Sequence, residues 1–161
     1  MAIPEFITRL RAKIGQDFLW LSGVTAVVCR RIDGAEHVLL IQRADNGAWT
    51  PVTGILDPCE EPADAAEREV LEESGIQSRV VRLASVKSGE PMMHANGDRA
   101  AYLDLCFECE WVSGDPVPDN EETIGARWCP LDDLPDMSEE MTRRIRVATA
   151  GGETRLYRRE S

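Results

Sequence analysis

The feature that most constrains this chain is the segment 54–76, GILDPCEEPADAAEREVLEESGI, which combines a predicted helix with many acidic residues. Pro62 suits the first turn of a helix, and Gly75 suits its C-terminal end. Like charges one helical turn apart destabilise a helix by roughly 0.2 to 0.5 kcal/mol per pair. The acidic side chains must therefore either be spread around the helix or hold a positive group between them.

The spacing concentrates three of these acids on one face of the helix. At about 100° per residue, Glu69, Glu72 and Glu73 fall within an arc of about 100°. The neighbouring arc is apolar and is predicted to face a sheet, with Ala63, Ala66 and Val70. The other acids of the segment are predicted to be solvated, namely Asp57, Glu61, Asp64 and Glu67. Carboxylates gathered on one face suit Mg²⁺ or Mn²⁺, which prefer oxygen ligands, although a solvated acidic face is the alternative.

Further fixed positions around the helix complete a longer pattern. The segment resembles the signature of the Nudix hydrolases, G-x5-E-x7-R-E-U-x-E-E-x-G-U, in which U is a bulky aliphatic residue. Every specified position is filled, by Gly54, Glu60, Arg68, Glu69, Val70, Glu72, Glu73, Gly75 and Ile76. A match of this length is far more specific than a short motif. The order of predicted strands over most of residues 20–135 is also similar to that of the family.

The resemblance implies a fold, a reaction and a cofactor. The family fold is an α/β/α sandwich around a central mixed sheet, in the α+β class. The reaction is hydrolysis of a nucleoside diphosphate linked to another moiety, which yields a nucleoside monophosphate and the phosphorylated moiety. The cofactor is a divalent cation, Mg²⁺ or Mn²⁺, held by the loop-helix-loop that the signature forms. The expected partner is therefore a small nucleotide.

The resemblance also implies a set of metal ligands. Glu69 and Glu73 would be the main ligands, and the carbonyl of Gly54 would complete the shell. Glu72 would be a further ligand or the general base. Metals bridged by carboxylates neutralise phosphate charge and activate water, which is what hydrolysis of a phosphoanhydride needs.

Other charged residues would support this set. Arg68 and Glu60 would orient the carboxylates, and Arg68 precedes Glu72 by four residues, a spacing at which ion pairs form on a helix. Glu122 lies in a polar loop, at a position similar to that of a downstream acid that supplies a metal ligand or the catalytic base in several family members. Its neighbour Glu121 is an alternative, and either acid could simply be solvated.

Cys59 departs from the habit of the family, because many members have glycine just before the first signature glutamate. A residue other than glycine must avoid positive φ there or be strained. A tolerated substitution in the loop is the favoured interpretation, and a redox-sensing thiol is the alternative.

The substrate is less constrained than the reaction. Pro91 lies at a position that resembles the branch of the family acting on ADP-ribose, and His94 and Asp98 are candidates for contact with a base or ribose. The same residues are also ordinary loop chemistry between strands. Sanitation of oxidised nucleoside triphosphates and a non-catalytic nucleotide-binding module are the alternatives to ADP-ribose hydrolysis.

Composition narrows the class of protein and its partners. The chain has 161 residues, of which 43% are hydrophobic, so a single domain over 1–161 is predicted. A net charge of −11 disfavours nucleic acid and anionic bilayers as partners. The absence of an apolar run of 18 residues and the charged N-terminal segment predict a cytoplasmic protein. The five cysteines are predicted to be reduced, and Cys106 and Cys109 are predicted to point to opposite faces of one strand.

Periodicity predicts helices at both ends of the chain and hairpins between them. Helices are predicted at about 3–14 and about 138–150, and the main strands at 22–32, 37–43, 79–88, 101–111 and 125–130. Because strands and helices do not alternate regularly, a mixed sheet with helices on its faces is expected. The N-terminal helix would cover its own sheet or a second subunit, and a homodimer is expected.

Overall fold

The computed structural model describes residues 3–158, so residues 1, 2 and 159–161 of the predicted domain lie outside it. Within this range the chain forms three helices and nine strands. The helices are α1 (Glu5–Ile14), α2 (Pro62–Ser74) and α3 (Glu139–Thr149). The strands are β1 (Leu19–Ile32), β2 (Ala35–Arg43), β3 (Trp49–Thr50), β4 (Val52–Ile55), β5 (Gln77–Ser88), β6 (Met92–Met93), β7 (Arg99–Ser113), β8 (Thr123–Pro130) and β9 (Arg155–Leu156).

The strands form one mixed sheet, in the order β3-β2-β1-β7-β5-β9. Strands β1 and β2 are an antiparallel hairpin that turns at residues 33 and 34. Strand β7 runs parallel to β1 and antiparallel to β5. Strand β4 pairs with the first half of β1, and β8 pairs with β2. The predicted mixed sheet is therefore confirmed.

Helices cover both faces of the sheet, which confirms the predicted α/β/α sandwich. Val70 of α2 packs with Cys109 of β7 in one core cluster. Ile145 of α3 packs with Cys106 of the same strand in the second cluster. The two cysteines thus point to opposite faces, as the alternation of a strand requires. Both are free thiols, and burial raises the pKa of Cys106 to about 12, so these cysteines pack as small apolar side chains.

Helix α1 packs on its own sheet, near the first residues of β1 and β7 and the end of β4. Ile7 is buried against Leu21, Ile55 and Ala100. Arg11, one turn further along the same face, donates through its guanidinium to the carbonyls of residues 15, 17 and 99. Ile7 therefore has partners within the chain, whereas Ile3 and Leu10 are exposed, and the homodimer stays a prediction. None of the helices within residues 3–158 is long and apolar enough to cross a membrane.

Candidate active site

Helix α2 carries the predicted site, and its ends form as the sequence indicates. Pro62 is in the first turn, and Gly75 ends the helix in the left-handed conformation at φ 68° with its N–H donating to the carbonyl of Leu71. Ala66 and Val70 are fully buried, as predicted, whereas Ala63 is only half-buried. The buried face is wider than predicted, because it also includes Ala65 and two of the three clustered acids, Glu69 and Glu73.

The three clustered acids have different environments. Glu69 and Glu73 are only 7% and 5% exposed, whereas the Glu72 side chain is 58% exposed. Space for Glu69 comes from Gly54 on β4, where an added Cβ would overlap the Cγ, Cδ and Oε1 atoms of Glu69. The glycine of the signature is thus explained by the close approach of a carboxylate to a strand.

Arg68 joins the acids into one network. Its guanidinium binds both oxygens of Glu60, with Nε to Oε1 at 2.7 Å and Nη2 to Oε2 at 2.9 Å. Its Nη1 donates to Glu69 at 2.9 Å and to Glu72 at 3.1 Å. This bidentate contact with Arg68 holds the pKa of Glu60 below its usual range. Arg68 therefore contacts all three carboxylates that the sequence associates with it, including Glu72 at the predicted spacing.

The two buried carboxylates lie in a region of excess negative charge. Burial raises the pKa of Glu69 to about 7, opposed by Arg68 and reinforced by Glu72 and Glu122. Burial, Glu69 and Glu122 raise the pKa of Glu73 to about 8. Glu73 Oε2 is buried and has no hydrogen-bond partner within residues 3–158. An unpartnered buried carboxylate oxygen is costly, and a cation would relieve that cost.

The clustered acids fit a divalent cation, although Glu69 and Glu72 are paired with Arg68 in this structure. Among residues 3–158, no three His, Cys, Asp or Glu side chains converge as a ready-made metal site. Glu69 and Glu72 are instead drawn to Arg68. Oxygen donors, excess negative charge and an orphaned carboxylate oxygen are what a hard cation such as Mg²⁺ or Mn²⁺ requires.

The loop before β8 brings a fourth acid to the cluster. Glu122 lines the same cavity of about 560 Å³ as Glu69 and Glu72, and its charge acts on both buried carboxylates. The loop is held by Asp119, whose Oδ1 accepts the backbone N–H of Glu122 at 2.9 Å. Glu121 is exposed in the same loop. Of the two candidate acids, Glu122 is therefore the one that the structure places at the cluster.

Two contacts that fix the site were missed by the sequence reasoning. Thr123 Oγ1 donates to the carbonyl of Glu73 at 2.9 Å and so ties the loop to the end of α2. Glu67, predicted to be solvated, accepts the backbone N–H of Val80 at 2.8 Å and so docks α2 on β5. The sequence holds little signal for either contact, because each joins two different elements whose packing no local motif displays.

The three candidate substrate residues lie apart from the acids. Pro91 is exposed between β5 and β6. Asp98 pairs with Arg11 at 3.3 Å and accepts from the Asn96 amide, so it stabilises a turn. His94 hydrogen-bonds to the Tyr102 hydroxyl at 3.0 Å and lines a second cavity of about 410 Å³. The three residues therefore do not form one cluster with the carboxylates.

Cys59 adopts the positive φ that strains a residue other than glycine at this position. Its φ is 70°, and the residue is exposed. A left-handed residue with a Cβ costs about 1 to 2 kcal/mol. The turn is closed by the Glu60 N–H donating to the carbonyl of Asp57 at 3.1 Å, and Glu60 then reaches Arg68. The strained turn thus presents the first signature glutamate to its partner.

The raised pKa values predict that the protein without bound cation loses stability as the pH rises. Glu69 and Glu73 are protonated up to about pH 7 and about pH 8 in the folded state, but only up to about pH 4.3 when unfolded. The folded state therefore binds more protons between these values, and the free energy of unfolding falls from pH 5 to pH 8. Urea unfolding in EDTA at three pH values measures this slope. The Glu73→Gln variant should show a shallower decline, and equal slopes in the two proteins would refute the assignment.

Comparisons with known proteins show which family the sequence matches. A family model described as NUDIX domain matches residues 21–149. The chain is similar to the NAD-capped RNA hydrolase NudC of Pseudomonas syringae pv. syringae, with 32% identity over 104 residues, or 63% of this chain and 34% of that protein. It is 33% identical over 118 residues to a MutT-like protein of Streptomyces ambofaciens, covering 73% of this chain and 69% of the relative.

Solved structures share the fold. An ADP-ribose pyrophosphatase of Streptococcus suis has a TM-score of 0.64 and 23% identity, covering 85% of this chain and 98% of that chain. The chain spans about a third of the length of the NAD-capped RNA hydrolases that it matches.

Proposed function

Because this chain belongs to the NUDIX family, we propose that it is a hydrolase that cleaves the diphosphate of a nucleoside diphosphate linked to another moiety, with ADP-ribose or a related nucleotide sugar as substrate. The observation that carries the proposal is the gathering of Glu69, Glu72 and Glu122 around one cavity, with Glu73 buried beside them. A solvated acidic helix face would not bury two of its carboxylates. The site instead concentrates negative charge, as a cation site does.

The metal ligands in this proposal are Glu69, Glu72, Glu73 and the carbonyl of Gly54. When bound, Mg²⁺ or Mn²⁺ would neutralise the phosphate oxygens and lower the pKa of a water molecule. Arg68 holds three like-charged carboxylates close together, because its guanidinium contacts Glu60, Glu69 and Glu72. Glu60 in turn holds Arg68 in a fixed orientation through its bidentate contact. Arg68 and Glu60 are thus positioning residues for the ligands.

The proton of the attacking water needs an acceptor close to the diphosphate. Glu72 and Glu122 both line the cavity of about 560 Å³ and are the candidates for the general base. Glu73 is more deeply buried, which suits a ligand better than a base that exchanges protons with solvent. A general base contributes about 10² to 10⁴ in rate. Of the two variants Glu72→Gln and Glu122→Gln, the one that removes the base should therefore have the lower kcat.

The choice of substrate is supported by the second cavity and by the comparisons. The cavity of about 410 Å³ is lined by Trp49, Tyr102 and His94. It is also lined by Gly54, which lies against Glu69 of the acid cluster. Its volume lies in the range of roughly 300 to 1,000 Å³ typical of small-molecule sites. The ADP-ribose pyrophosphatase from Streptococcus suis has the same fold, and the named substrate of NudC contains a nucleoside diphosphate linkage. ADP-ribose therefore stays the preferred substrate of this proposal, with NAD as a related one.

Two alternatives give different outcomes. The similarity to a MutT-like protein favours hydrolysis of an oxidised nucleoside triphosphate as a second activity. A non-catalytic nucleotide-binding module would bind without turnover, but it has no need for three clustered acids around one cavity and a fourth buried beside them. A cytoplasmic location, a homodimer and small nucleotides as the only partners stay predictions of the sequence.

A substrate panel tests this proposal. ADP-ribose, NAD, dinucleoside polyphosphates and oxidised deoxynucleoside triphosphates are incubated with the protein in Mg²⁺ and in EDTA, and the products are separated by anion exchange. We expect AMP and ribose 5-phosphate from ADP-ribose in Mg²⁺ only. Pyrophosphate release from the triphosphates alone would favour the MutT-like activity, and no turnover of any compound would contradict the proposal.

A further inference from the structure

A buried ion pair on the α3 side of the sheet has no part in the proposed hydrolysis. Asp104 of β7 is 4% exposed, and Arg144 of α3 approaches its Oδ1 with Nη1 at 3.2 Å. Thr25 Oγ1 donates to the same oxygen at 2.7 Å and accepts from Arg144 Nη1 at 2.7 Å. Arg144 and Thr25 therefore both contact the same oxygen of the carboxylate, and they are hydrogen-bonded to each other.

The other oxygen of Asp104 lacks a partner. Asp104 Oδ2 is buried and accepts no hydrogen bond within residues 3–158. A desolvated carboxylate oxygen is expensive to leave unsatisfied, because its water is lost and nothing replaces it. A pair that served only to fasten α3 to the sheet would not need this second oxygen to be buried and bare.

Asp104 also lines the cavity of about 410 Å³. The cavity has apolar walls from Trp49, Met92 and Met141, at the ends of elements β3, β6 and α3. Apolar walls with a few placed polar groups are typical of a pocket that holds a ring and fixes its orientation. Charged and polar side chains also line this cavity, and its unpartnered buried polar atoms within residues 3–158 are Asp104 Oδ2 and Thr50 Oγ1. A carboxylate oxygen is an acceptor, so a ring that satisfies Oδ2 carries an N–H donor.

The cavity adjoins the acid cluster of α2 through Gly54. Gly54 lines the cavity, and the same glycine makes room for Glu69. A nucleotide with its base beside Asp104 can therefore direct its phosphates toward α2. This places a base-binding region and the proposed reaction at two ends of one site.

We propose that Asp104 is a specificity-determining residue whose Oδ2 accepts a hydrogen bond from the exocyclic amino group of a purine base in the substrate. The inference rests on the proposed function only in taking the ligand to be a nucleotide. It names the substrate class more closely: purine nucleotides with an exocyclic amine, adenine or guanine, are favoured over those that lack it. Arg144 and Thr25 hold the carboxylate by its other oxygen and so leave Oδ2 for the ligand.

Binding of matched nucleoside monophosphates tests this without turnover. Isothermal titration compares AMP with purine riboside 5′-monophosphate, and GMP with IMP, since each pair differs by one exocyclic amine. We expect the protein to bind the amine-bearing member about tenfold more tightly or better in at least one pair. The pair that responds identifies adenine or guanine as the preferred base.

Two variants separate recognition from packing. In Asp104→Asn the amide oxygen can accept from Thr25 and Arg144, which leaves the NH₂ in the place of Oδ2, so the preference within the pair should fall to about twofold or less. Arg144→Lys weakens the same ion pair but keeps the carboxylate, so the preference should persist even if the melting temperature falls. Equal preferences in Asp104→Asn and the unmodified protein, no preference in either pair, or no binding of any monophosphate would overturn the inference. Because none of these results depends on hydrolysis, they leave the proposed reaction to be judged by the substrate panel.

Discussion

Replacing Glu73 by Gln is expected to lower kcat for ADP-ribose by about 10²-fold or more, while the protein becomes more stable. The loss of activity follows because the proposed cation loses a buried charged ligand. The gain in stability follows because burial raises the pKa of Glu73 to about 8 and leaves its Oε2 without a partner. A neutral amide avoids that desolvation, and we expect a gain of about 1 kcal/mol at pH 8. Steady-state kinetics in Mg²⁺ and urea unfolding in EDTA measure the two effects.

Glu67→Gln is the matched control for this variant. Glu67 lies on the same helix, and its carboxylate accepts the backbone N–H of Val80 at 2.8 Å, a contact that an amide oxygen can also make. Activity should stay within about twofold of the unmodified protein. Opposite signs for activity and stability in Glu73→Gln distinguish a functional acid from a structural one. Near-normal turnover in that variant would contradict the assignment of Glu73.

Replacing Gly54 by Ala is expected to destabilise the fold and to remove most of the activity. The φ of Gly54 is not in the left-handed region, so the backbone accepts alanine, but the added Cβ would overlap the Glu69 carboxylate. Overpacking of this kind costs about 1 to 3 kcal/mol, and displacement of Glu69 should lower kcat at least tenfold. The two effects have one cause and should appear together.

Gly89→Ala is a suitable control for this second prediction. Its added Cβ would meet the Tyr102 carbonyl at 3.2 Å, which requires only a small adjustment of the backbone away from α2. We expect smaller losses of stability and of kcat than in Gly54→Ala, because the added Cβ leaves Glu69 in place and meets only the backbone of Tyr102. Thermal unfolding and initial rates of both variants measure the comparison, and a fully active Gly54→Ala protein would refute the role of this close approach.

The sequence predicted the helix that carries the site but not how far the helix is buried. Pro62 and Gly75 mark its ends through local chemistry, which a sequence displays directly. The burial of Glu69 and Glu73 depends on β4 passing close to α2, a contact set by the whole sheet. The predicted apolar arc holds for Ala66 and Val70, but the burial of Ala65 was not expected, and Ala63 is only half-buried.

The sequence alone also could not distinguish Glu122 from Glu121 or single out Asp104. Glu122 and Glu121 are adjacent and chemically equal in the sequence, and only the Asp119 turn and the Thr123 contact with α2 direct Glu122 to the cluster. Asp104 drew no attention in the sequence, because one aspartate in an apolar strand carries no motif. Its partners Thr25 and Arg144 lie 79 and 40 residues away along the chain, so no local pattern links them to Asp104.

The measurement that tests the central claim most directly is Mn²⁺ binding, followed by electron paramagnetic resonance of the free ion at pH 8. The claim is that the carboxylates of α2 hold a divalent cation. We predict a saturable site in the unmodified protein and in Glu67→Gln, competed by Mg²⁺, and binding at least tenfold weaker in Glu73→Gln. Equal binding by Glu73→Gln and the unmodified protein, or no saturable site in either, would contradict the claim.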